Sequence, residues 1–481
     1  MAEQDVHSSY SSPLETRYAS RRMAGLFSPR HRIETWRRLW VELARAQMEM
    51  GLGVTESQVG KLEDAVTDID FDAAAMAESA LRHDVMAHIH AFGERVPESR
   101  GILHWGATSC YITDNADLVI LREALELSAQ RLAEAARALG SFAAEWRDLP
   151  TLGFTHLQPA QPTTVGKRAS LWLQDVLMDL EEIERVTAWL PFRGVKGTTG
   201  TQASFLQLFD GDHAKVEALD ARVAAAFGFD RTLPVSGQTY TRKIDWQVVA
   251  PLSGIAQTAG KFSSDVRLLA QRRELEEPFE TTQVGSSAMP YKRNPMRSER
   301  MASLSRFLIN LVPNAAHTAA NQWLERTLDD SANRRIALAE GFLAADAILV
   351  LMQDVAGGLV VNPKVVERRL AEELPFLASE GALMIAVEAG GDRQDLHEKL
   401  RVHAIEAGKK LRAGEDSDLL DRIQGDEAFS ACEGRWDEIL DPTRLVGRAP
   451  EQVDAFLNQC LDPVLARYPE TGDEDGASVR V

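Results

Sequence analysis

The segment from Gln283 to Arg300 combines residue types that bind and polarise anions. Gly285 and the two serines after it form a polar turn, and Pro290 and Pro295 exclude regular helix across most of the segment. An ordinary solvated surface loop would not need so many cationic donors inside an acidic chain. The residue types therefore favour a mobile, anion-binding loop. Its basic members are Lys292, Arg293, Arg297 and Arg300.

A second segment, residues 82–90, holds histidines at positions 83, 88 and 90. Two zinc-ligating histidines on one helix face are normally four residues apart, with a carboxylate donor nearby. This spacing differs, so we expect no metal here. The sequence favours packing roles for some of these histidines and a place in a site for one.

Thr108 and Ser109 stand just before a long helical stretch. Hydroxyls and free N–H groups at a helix start attract anions, although a simple helix cap is the alternative for any such pair. His156 lies between two helical stretches, where Pro159 and Pro162 predict an irregular loop. Its reference pKa of about 6.5 makes it a candidate acid or base. A histidine without a chemical role is the alternative.

A glycine-rich stretch at residues 194–201 superficially resembles a phosphate loop. It lacks the Gly-Lys-Ser/Thr ending and no predicted strand precedes it, so a nucleoside triphosphate site is not expected. A tight turn between helices is the better interpretation.

Long helices must position these breaks. Apolar or small residues spaced three and four apart between Leu118 and Trp146 form a seam typical of a helix packed along other helices. Second and third seams run from Leu173 to Leu190 and from Leu338 to Met352, and residues 242–273 and 296–312 also have helical patterns. We predict an all-α fold with three helical domains at 1–110, 111–361 and 362–481, the middle one a long-helix bundle. Seams on several faces predict a homo-oligomer rather than a monomer.

Composition narrows the class of protein. The 481 residues carry a formal net charge of -19, which disfavours binding to nucleic acid or to anionic membranes. The polar first twelve residues lack an apolar signal core, and no run of about 18 apolar residues predicts a membrane span. Three cysteines have neither zinc nor redox spacing. We expect a cytoplasmic protein with loose ends, at residues 1–12 and after about residue 470, where the role of the acidic run 473–475 stays open.

The loop sequence Gly-Ser-Ser-Ala-Met-Pro-Tyr-Lys-Arg-Asn-Pro at 285–295 resembles the signature of the fumarase/aspartase superfamily, and its Tyr-Lys-Arg-Asn-Pro version resembles the adenylosuccinate lyase family. The resemblance runs from about residue 10 to about 465 and includes residues 82–84, 106–110, 155–159 and 325–331. It implies a cofactor-free β-elimination that releases fumarate from purine ribotide substrates. It also implies a homotetramer whose active sites are each built by three subunits.

By this resemblance Ser286 is the general base and His156 the general acid, with Lys292 stabilising charge and Glu299 orienting a histidine. The residues that the resemblance assigns to substrate binding are Arg17, Tyr18, Arg82, His83, Asp84, Thr108, Ser109, Gln238, Ser287, Asn294, Arg300, Arg326, Ser331 and Arg335. A sister lyase would keep Ser286 and His156 but need different outer contacts. A structural protein that reuses the fold would not need the intact catalytic set.

Overall fold

The computed structural model describes residues 8–470. The predicted loose ends therefore fall largely outside the described residues, and so does the acidic run at 473–475. Within 8–470 the chain is all-α, as the seams predicted, with two small two-stranded sheets. The first helices are α1 (Arg21–Leu26), α2 (Pro29–Glu49), α3 (Glu56–Asp64), α4 (Phe71–Leu81) and α5 (Asp84–Arg95).

The central part of the chain contains the longest helices. Its helices are α6 (Ser109–Glu145), α7 (Val165–Trp189), α8 (Ala203–Leu208), α9 (His213–Ala226), α10 (Lys243–Gln271), α11 (Met296–Ile309), α12 (Leu311–Ala320) and α13 (Asp330–Gly357). α6 packs against α7 and α13, and α10 packs against α7, α11 and α13. The predicted seams face this shared core: Leu125 on α6, Val176 on α7 and Phe342 on α13 are fully buried.

α13 is long and apolar enough by composition to cross a membrane. In this fold, however, 78% of its most apolar window is buried against neighbouring helices. The helix carries three aspartates, at positions 330, 346 and 354, and Asp346 is buried in the core, where it accepts the backbone N–H of Ser20 at 2.6 Å. α13 is therefore the central core helix of the bundle in this structure.

Shorter helices follow the bundle: α14 (Pro363–Leu377), α15 (Ser379–Glu388), α16 (Arg393–Arg412), α17 (Leu419–Gln424), α18 (Trp436–Ile439), α19 (Pro442–Leu445), α20 (Ala449–Phe456) and α21 (Asp462–Leu465). Those from α15 to α18 enclose a small apolar core of their own, which includes Leu383, Leu419 and Phe429. α20 instead packs on α7, so the end of the described chain returns to the bundle. The three-domain boundaries remain a prediction.

The segment around His156 is a β-hairpin, and the prediction of an irregular loop was wrong. β1 (Pro150–Thr155) pairs antiparallel with β2 (Gln158–Thr164), with an irregularity between Leu152 and Phe154. Proline cannot donate to a ladder, but it is tolerated where one strand edge has no further partner. This sheet has two strands, so one edge of β2 has no neighbouring strand, and the prolines there remove no hydrogen bonds to a further strand. The other sheet pairs β3 (Leu275–Glu276) with β4 (Val360–Val361).

Candidate active site

A cleft of about 570 Å³, here called the main cleft, is lined by residues of α2, α5, α6 and α13 and by the segments that precede them. It gathers predicted substrate residues from distant parts of the chain, which are Arg82, His83, Asp84, Ser109, Gln238, Arg326, Ser331 and Arg335. Its volume is that of a typical small-molecule pocket. Among its six lining arginines, Arg82, Arg326 and Arg335 are predicted substrate residues, and their guanidinium groups suit an anionic ligand.

His83 stands at the N-cap of α5, and its ring links two helix starts. Its Nδ1 accepts the backbone N–H of Met86 at 3.4 Å, and its Nε2 lies 3.3 Å from Ser109 Oγ. Because Nδ1 is an acceptor, the neutral ring carries its proton on Nε2 and donates it to the serine hydroxyl. The main cleft thus presents an oriented histidine beside a hydroxyl.

The N-terminus of α6 opens into the main cleft through Ser109 and Cys110. Thr108 is the N-cap residue, yet its side chain makes no capping hydrogen bond with the described part of the chain. Thr108 is not among the residues that line the main cleft, so of the two predicted hydroxyls only that of Ser109 lies there. The N–H groups at the start of this long helix add a partial positive charge at the same place.

Buried ion pairs hold the floor of the main cleft. Arg242 donates from Nε to Asp330 at 2.6 Å and from Nη1 to Asp114 at 3.0 Å. Asp330 also accepts Nη1 of Arg326 at 2.8 Å, so it connects a cation of the cleft to the scaffold. Burial alone would raise the pKa of Asp330, but the guanidinium groups of Arg242 and Arg326 hold that pKa below its usual value. The carboxylate is therefore charged at neutral pH and orients Arg326.

The loop at residues 285–295, here called the signature loop, surrounds Ser286 with backbone donors. Ser286 Oγ accepts the N–H of Met289 at 3.2 Å and of Ala288 at 3.4 Å. Asn294 closes the loop by donating from Nδ2 to the Gly285 carbonyl at 2.7 Å. That amide nitrogen, predicted to contact substrate, is thus engaged within the loop. Ser287, also predicted to contact substrate, is exposed beside Ser286.

Lys292 and Glu299 belong to a different concavity from the main cleft. Together with Asn294 and Arg267 they line a separate depression, here called the loop cleft. Both side chains are exposed in this single chain. Neither lines the main cleft, so the loop and the main cleft form two separate parts of the predicted site.

Glu277 anchors the base of the signature loop. Its buried carboxylate accepts the backbone N–H groups of Arg297 and Ser298, each at 2.9 Å, and the hydroxyl of Ser298 at 2.8 Å. It therefore acts as the N-terminal cap of α11, because it accepts two backbone N–H groups of the first turn that have no partner within the helix. This cap fixes the C-terminal end of the loop to the segment that precedes the loop. The sequence analysis missed Glu277, because one glutamate in an acidic run has no distinguishing pattern.

His156 forms the tip of the β1–β2 hairpin together with Leu157. Both residues have positive φ, 54° and 56°, and both are exposed. Left-handed backbone at both central positions is the geometry of a tight type I′ turn, which glycine and asparagine normally favour. Below the tip, Arg272 packs over the Phe154 ring at 4.7 Å. The structure thus presents His156 outward on a short, anchored hairpin, away from the main cleft's lining.

Arg17 and Tyr18 end a short π-helical segment, Leu14–Tyr18, at the edge of the bundle. Arg300, on the first turn of α11, lies over the Tyr18 ring at 5.2 Å. This contact brings two predicted substrate residues together, and the third, Arg17, directly precedes Tyr18 in the chain. The structure also adds residues that the sequence analysis did not single out, because Arg32, Trp36, Glu78 and Cys110 line the main cleft.

Comparisons with known proteins cover nearly the whole chain. The family model described as "Lyase" matches residues 41–308, and the model described as "Adenylosuccinate lyase C-terminus" matches residues 375–456. The adenylosuccinate lyases of Saccharomyces cerevisiae and Schizosaccharomyces pombe are each 49% identical over 99% of this chain and 99% of their own. The adenylosuccinate lyase of Schistosoma mansoni is 46% identical over 97% of this chain and 98% of its own.

Solved structures share the fold at lower identity. A fumarate lyase from Mesorhizobium superposes with a TM-score of 0.80 at 22% identity, covering 94% of this chain and all of that one. A 3-carboxy-cis,cis-muconate lactonizing enzyme from Pseudomonas putida gives a TM-score of 0.79 at 23% identity, covering 95% of this chain and 99% of that one. At this identity the likeness concerns the fold alone.

Proposed function

The chain belongs to the adenylosuccinate lyase family and is a C–N lyase, and from that premise we propose which reactions it catalyses and with which residues. The proposed reaction eliminates fumarate from adenylosuccinate and leaves AMP. The same cleavage of the succinylaminoimidazole-carboxamide ribotide leaves the aminoimidazole-carboxamide ribotide. The observation that carries the proposal is the main cleft, where the predicted substrate residues of four distant segments meet. The proposed setting is the cytoplasm.

The substrate's charges suit the main cleft. Both ribotides carry one phosphate and two carboxylates, and each charge-assisted hydrogen bond contributes roughly 1.5–3 kcal/mol. Arg326 is held by Asp330, and Arg335 lies 3.2 Å from Asp84, so both guanidinium groups are oriented before substrate arrives. Such orientation lowers the entropy lost on binding. We assign the phosphate to these cations together with the Ser331 hydroxyl.

Ser286 is the proposed base that removes the carbon-bound proton next to a carboxylate. A serine hydroxyl is a weak base unless its alkoxide is stabilised. The N–H groups of Met289 and Ala288, which already point at Ser286 Oγ, supply fixed dipoles for that purpose. Lys292 adds a positive charge on the same loop. The backbone donors need no rearrangement at the moment of proton transfer.

His156 is the proposed acid that protonates the departing nitrogen. Its exposed position at a hairpin tip suits a group that completes a site on another surface. Glu299, exposed at the start of α11, is the proposed carboxylate that orients a catalytic histidine. Ser286, His156 and the main cleft occupy separate places in one chain. We therefore propose a homotetramer in which three subunits build each active site.

The catalytic proposal is tested by an ultraviolet assay of the purified protein with each ribotide. We expect consumption of adenylosuccinate with equal amounts of AMP and fumarate formed, and the parallel reaction with the second ribotide. Well-folded protein that turns over neither substrate would refute the proposed function.

The shared site is tested by mixing two inactive variants. We expect Ser286→Ala and His156→Ala assemblies to regain activity after subunit exchange, because some mixed sites receive both intact residues. Each variant mixed with itself is the control. Exchange demonstrated by labelled subunits, without any return of activity, would refute the arrangement in which these residues come from different chains.

A further inference from the structure

The thiol of Cys110 contacts a predicted substrate residue in the main cleft. Cys110 belongs to the first turn of α6, lines the cleft and is 6% exposed. Its Sγ lies 3.8 Å from Oε1 of Gln238, with the thiol as donor and the amide oxygen as acceptor. Gln238 lines the same cleft. The proposed reaction gives this thiol no role, so the contact raises the question of what it does for Gln238.

The backbone around Gln238 is attached to rigid neighbours. Its N–H donates to the carbonyl of Glu325 at 3.0 Å. Two residues later, the N–H of Tyr240 donates to the buried Asp114 carboxylate at 2.8 Å. Cys110 and Asp114 stand four apart on α6, so they lie on the same side of that helix. Two successive turns of α6 therefore contact alternate residues of this segment.

The glycine-rich stretch that follows Arg193 also packs against this segment. The buried guanidinium of Arg193 donates from Nη2 to the Gly237 carbonyl at 3.4 Å. Gly200 has a φ of 82°, and a β-carbon there would overlap the Ser236 carbonyl. The stretch thus lies directly against the two residues that precede Gln238. With the backbone held in this way, the remaining freedom of Gln238 is in its side chain.

The thiol determines which end of the Gln238 amide is engaged. Burial raises the pKa of Cys110 and Asp114 raises it further, so the thiol keeps its proton at neutral pH and acts as a donor. An amide that accepts through its oxygen leaves its NH₂ group to donate elsewhere. In Gln238 this Nε2 group makes no hydrogen bond within residues 8–470, and it is not among their inaccessible unpaired atoms. It is therefore available to an acceptor on a molecule in the main cleft.

We propose that Cys110 is a positioning residue that orients the Gln238 amide, so that Gln238 donates from Nε2 to an acceptor atom of the ribotide. This inference rests on the proposed function and deepens it, because it assigns the polarity of one substrate contact. Without the S–H donor both amide orientations become accessible, since the oxygen and nitrogen ends have nearly the same shape. The reversed amide presents an oxygen to the substrate acceptor and repels it.

Steady-state kinetics of adenylosuccinate cleavage test the role of the thiol. Cys110→Ala should lower kcat/KM about twofold to fivefold, because a weak hydrogen bond is lost and part of the amide population reverses. Cys110→Ser keeps a donor and should restore most of the loss. In a Gln238→Ala background Cys110→Ala should have no further effect, because the thiol acts through the amide. An equal effect in both backgrounds would mean that the thiol only fills space, and the proposal would be wrong.

Cys432→Ala is the matched control. The Cys432 thiol is also buried and donates to the Ala382 carbonyl at 3.6 Å, but it lies in the small core of the helices after the bundle. Its removal should leave kcat/KM unchanged.

Gln238→Glu tests the polarity of the amide. It keeps an oxygen for the thiol but replaces the NH₂ group by a second oxygen, so kcat/KM should fall about a hundredfold, further than in Gln238→Ala. If the amide were reversed, the glutamate would keep the acceptor that the substrate uses. A smaller loss in Gln238→Glu than in Gln238→Ala would therefore overturn the proposal.

Infrared spectroscopy of the whole protein measures the thiol–amide contact without turnover. The S–H stretching band lies apart from other protein bands and moves to lower frequency when the thiol donates a hydrogen bond. The difference from Cys110→Ala identifies the Cys110 band among the three cysteines. Gln238→Ala should move this band to higher frequency, while the Cys432 band stays in place.

Failure of this inference and failure of the proposed function give different results. If the wild type cleaves neither ribotide, the proposed function fails and takes the substrate contact with it, while the Cys110 band still shows whether the thiol holds the amide. If cleavage is normal but the Cys110 band does not move in Gln238→Ala, or Cys110→Ala keeps the kcat/KM of the wild type, this inference alone is overturned. Urea unfolding checks that each variant is folded, and the Gln238 substitutions keep the test decisive if Cys110→Ala is not.

Discussion

Replacing Glu277 by alanine tests how the signature loop is held at its base. The carboxylate is 5% exposed and accepts three hydrogen bonds from the first turn of α11, two from backbone N–H groups and one from the Ser298 hydroxyl. Alanine leaves these donors without an acceptor in a place that water reaches poorly. The loop that carries Ser286 then loses its fixed end.

The size of the effect follows from the contacts. Hydrogen bonds to a charged acceptor contribute roughly 1.5–3 kcal/mol each, and three of them give a gross loss of about 5–9 kcal/mol. Removing a buried carboxylate also recovers part of its desolvation cost, and fraying of the first turn lets water reach the N–H groups. We expect a net loss of about 3–5 kcal/mol in the free energy of unfolding for Glu277→Ala. Glu277→Gln keeps the shape but sets an NH₂ group against a donor, so its loss should be smaller but clear.

The measurement is urea unfolding followed by circular dichroism at one fixed protein concentration, because assembly couples stability to concentration. The matched control is Glu276→Ala at the adjacent position. The side chain of Glu276 is 26% exposed and lies 3.3 Å from the exposed Arg293 guanidinium. Such a pair contributes at most about 1 kcal/mol. Steady-state kinetics of the same variants should show a lower kcat for Glu277→Ala.

The comparison between neighbours decides the question. If Glu277→Ala loses no more stability than Glu276→Ala, the carboxylate does not cap α11 in solution. If Glu277→Ala is destabilised but its kcat is unchanged, the cap stabilises α11 without positioning the loop, and the proposed anchoring of Ser286 would be wrong.

Three other substitutions have expected outcomes. In Gly285→Ala the added methyl would overlap the Lys292 carbonyl, so the closed loop must open; steady-state assays should show about a tenfold loss of kcat with little change in urea stability. Burial raises the pKa of Asp179 to about 7, so the folded state binds the extra proton and stability declines as pH rises from about 4 to about 7. Asp179→Asn should remove this decline, and unfolding curves should show a gain of up to about 4 kcal/mol at pH 8 that vanishes near pH 4. Asp330→Asn weakens the support of Arg326 and should raise KM for adenylosuccinate about tenfold, with a smaller change in kcat.

The helical framework was readable from spacing alone. The seam that begins at Leu118 lies within α6, and the seam at 338–352 lies within α13, because a helix buried on several sides must repeat apolar residues every three or four positions. The hairpin was misread, since Pro159 and Pro162 are rare in strands. Spacing does not show that a strand will have a free edge. That information depends on the neighbours that the fold supplies.

The site was readable only in part. The family resemblance named eight of the residues that line the main cleft, but it could not show which contacts a site residue makes, such as the Asn294 amide donating to Gly285 in the signature loop. Glu277 has the type and spacing of an ordinary loop residue. Its role appears only when distant segments meet, because a carboxylate that accepts three hydrogen bonds is a property of its surroundings.

The turn at the hairpin tip has a consequence for engineering. His156 and Leu157 hold left-handed backbone, which costs a residue with a β-carbon roughly 1 kcal/mol or more. Asparagine followed by glycine would form the same turn more readily. A directed-evolution campaign that selects for heat resistance alone would therefore be drawn to this tip, and it would discard the imidazole proposed as the acid. Substitutions that raise the thermal stability of this turn would remove the side chain proposed for catalysis. A stabilised variant must therefore be screened for turnover at each round.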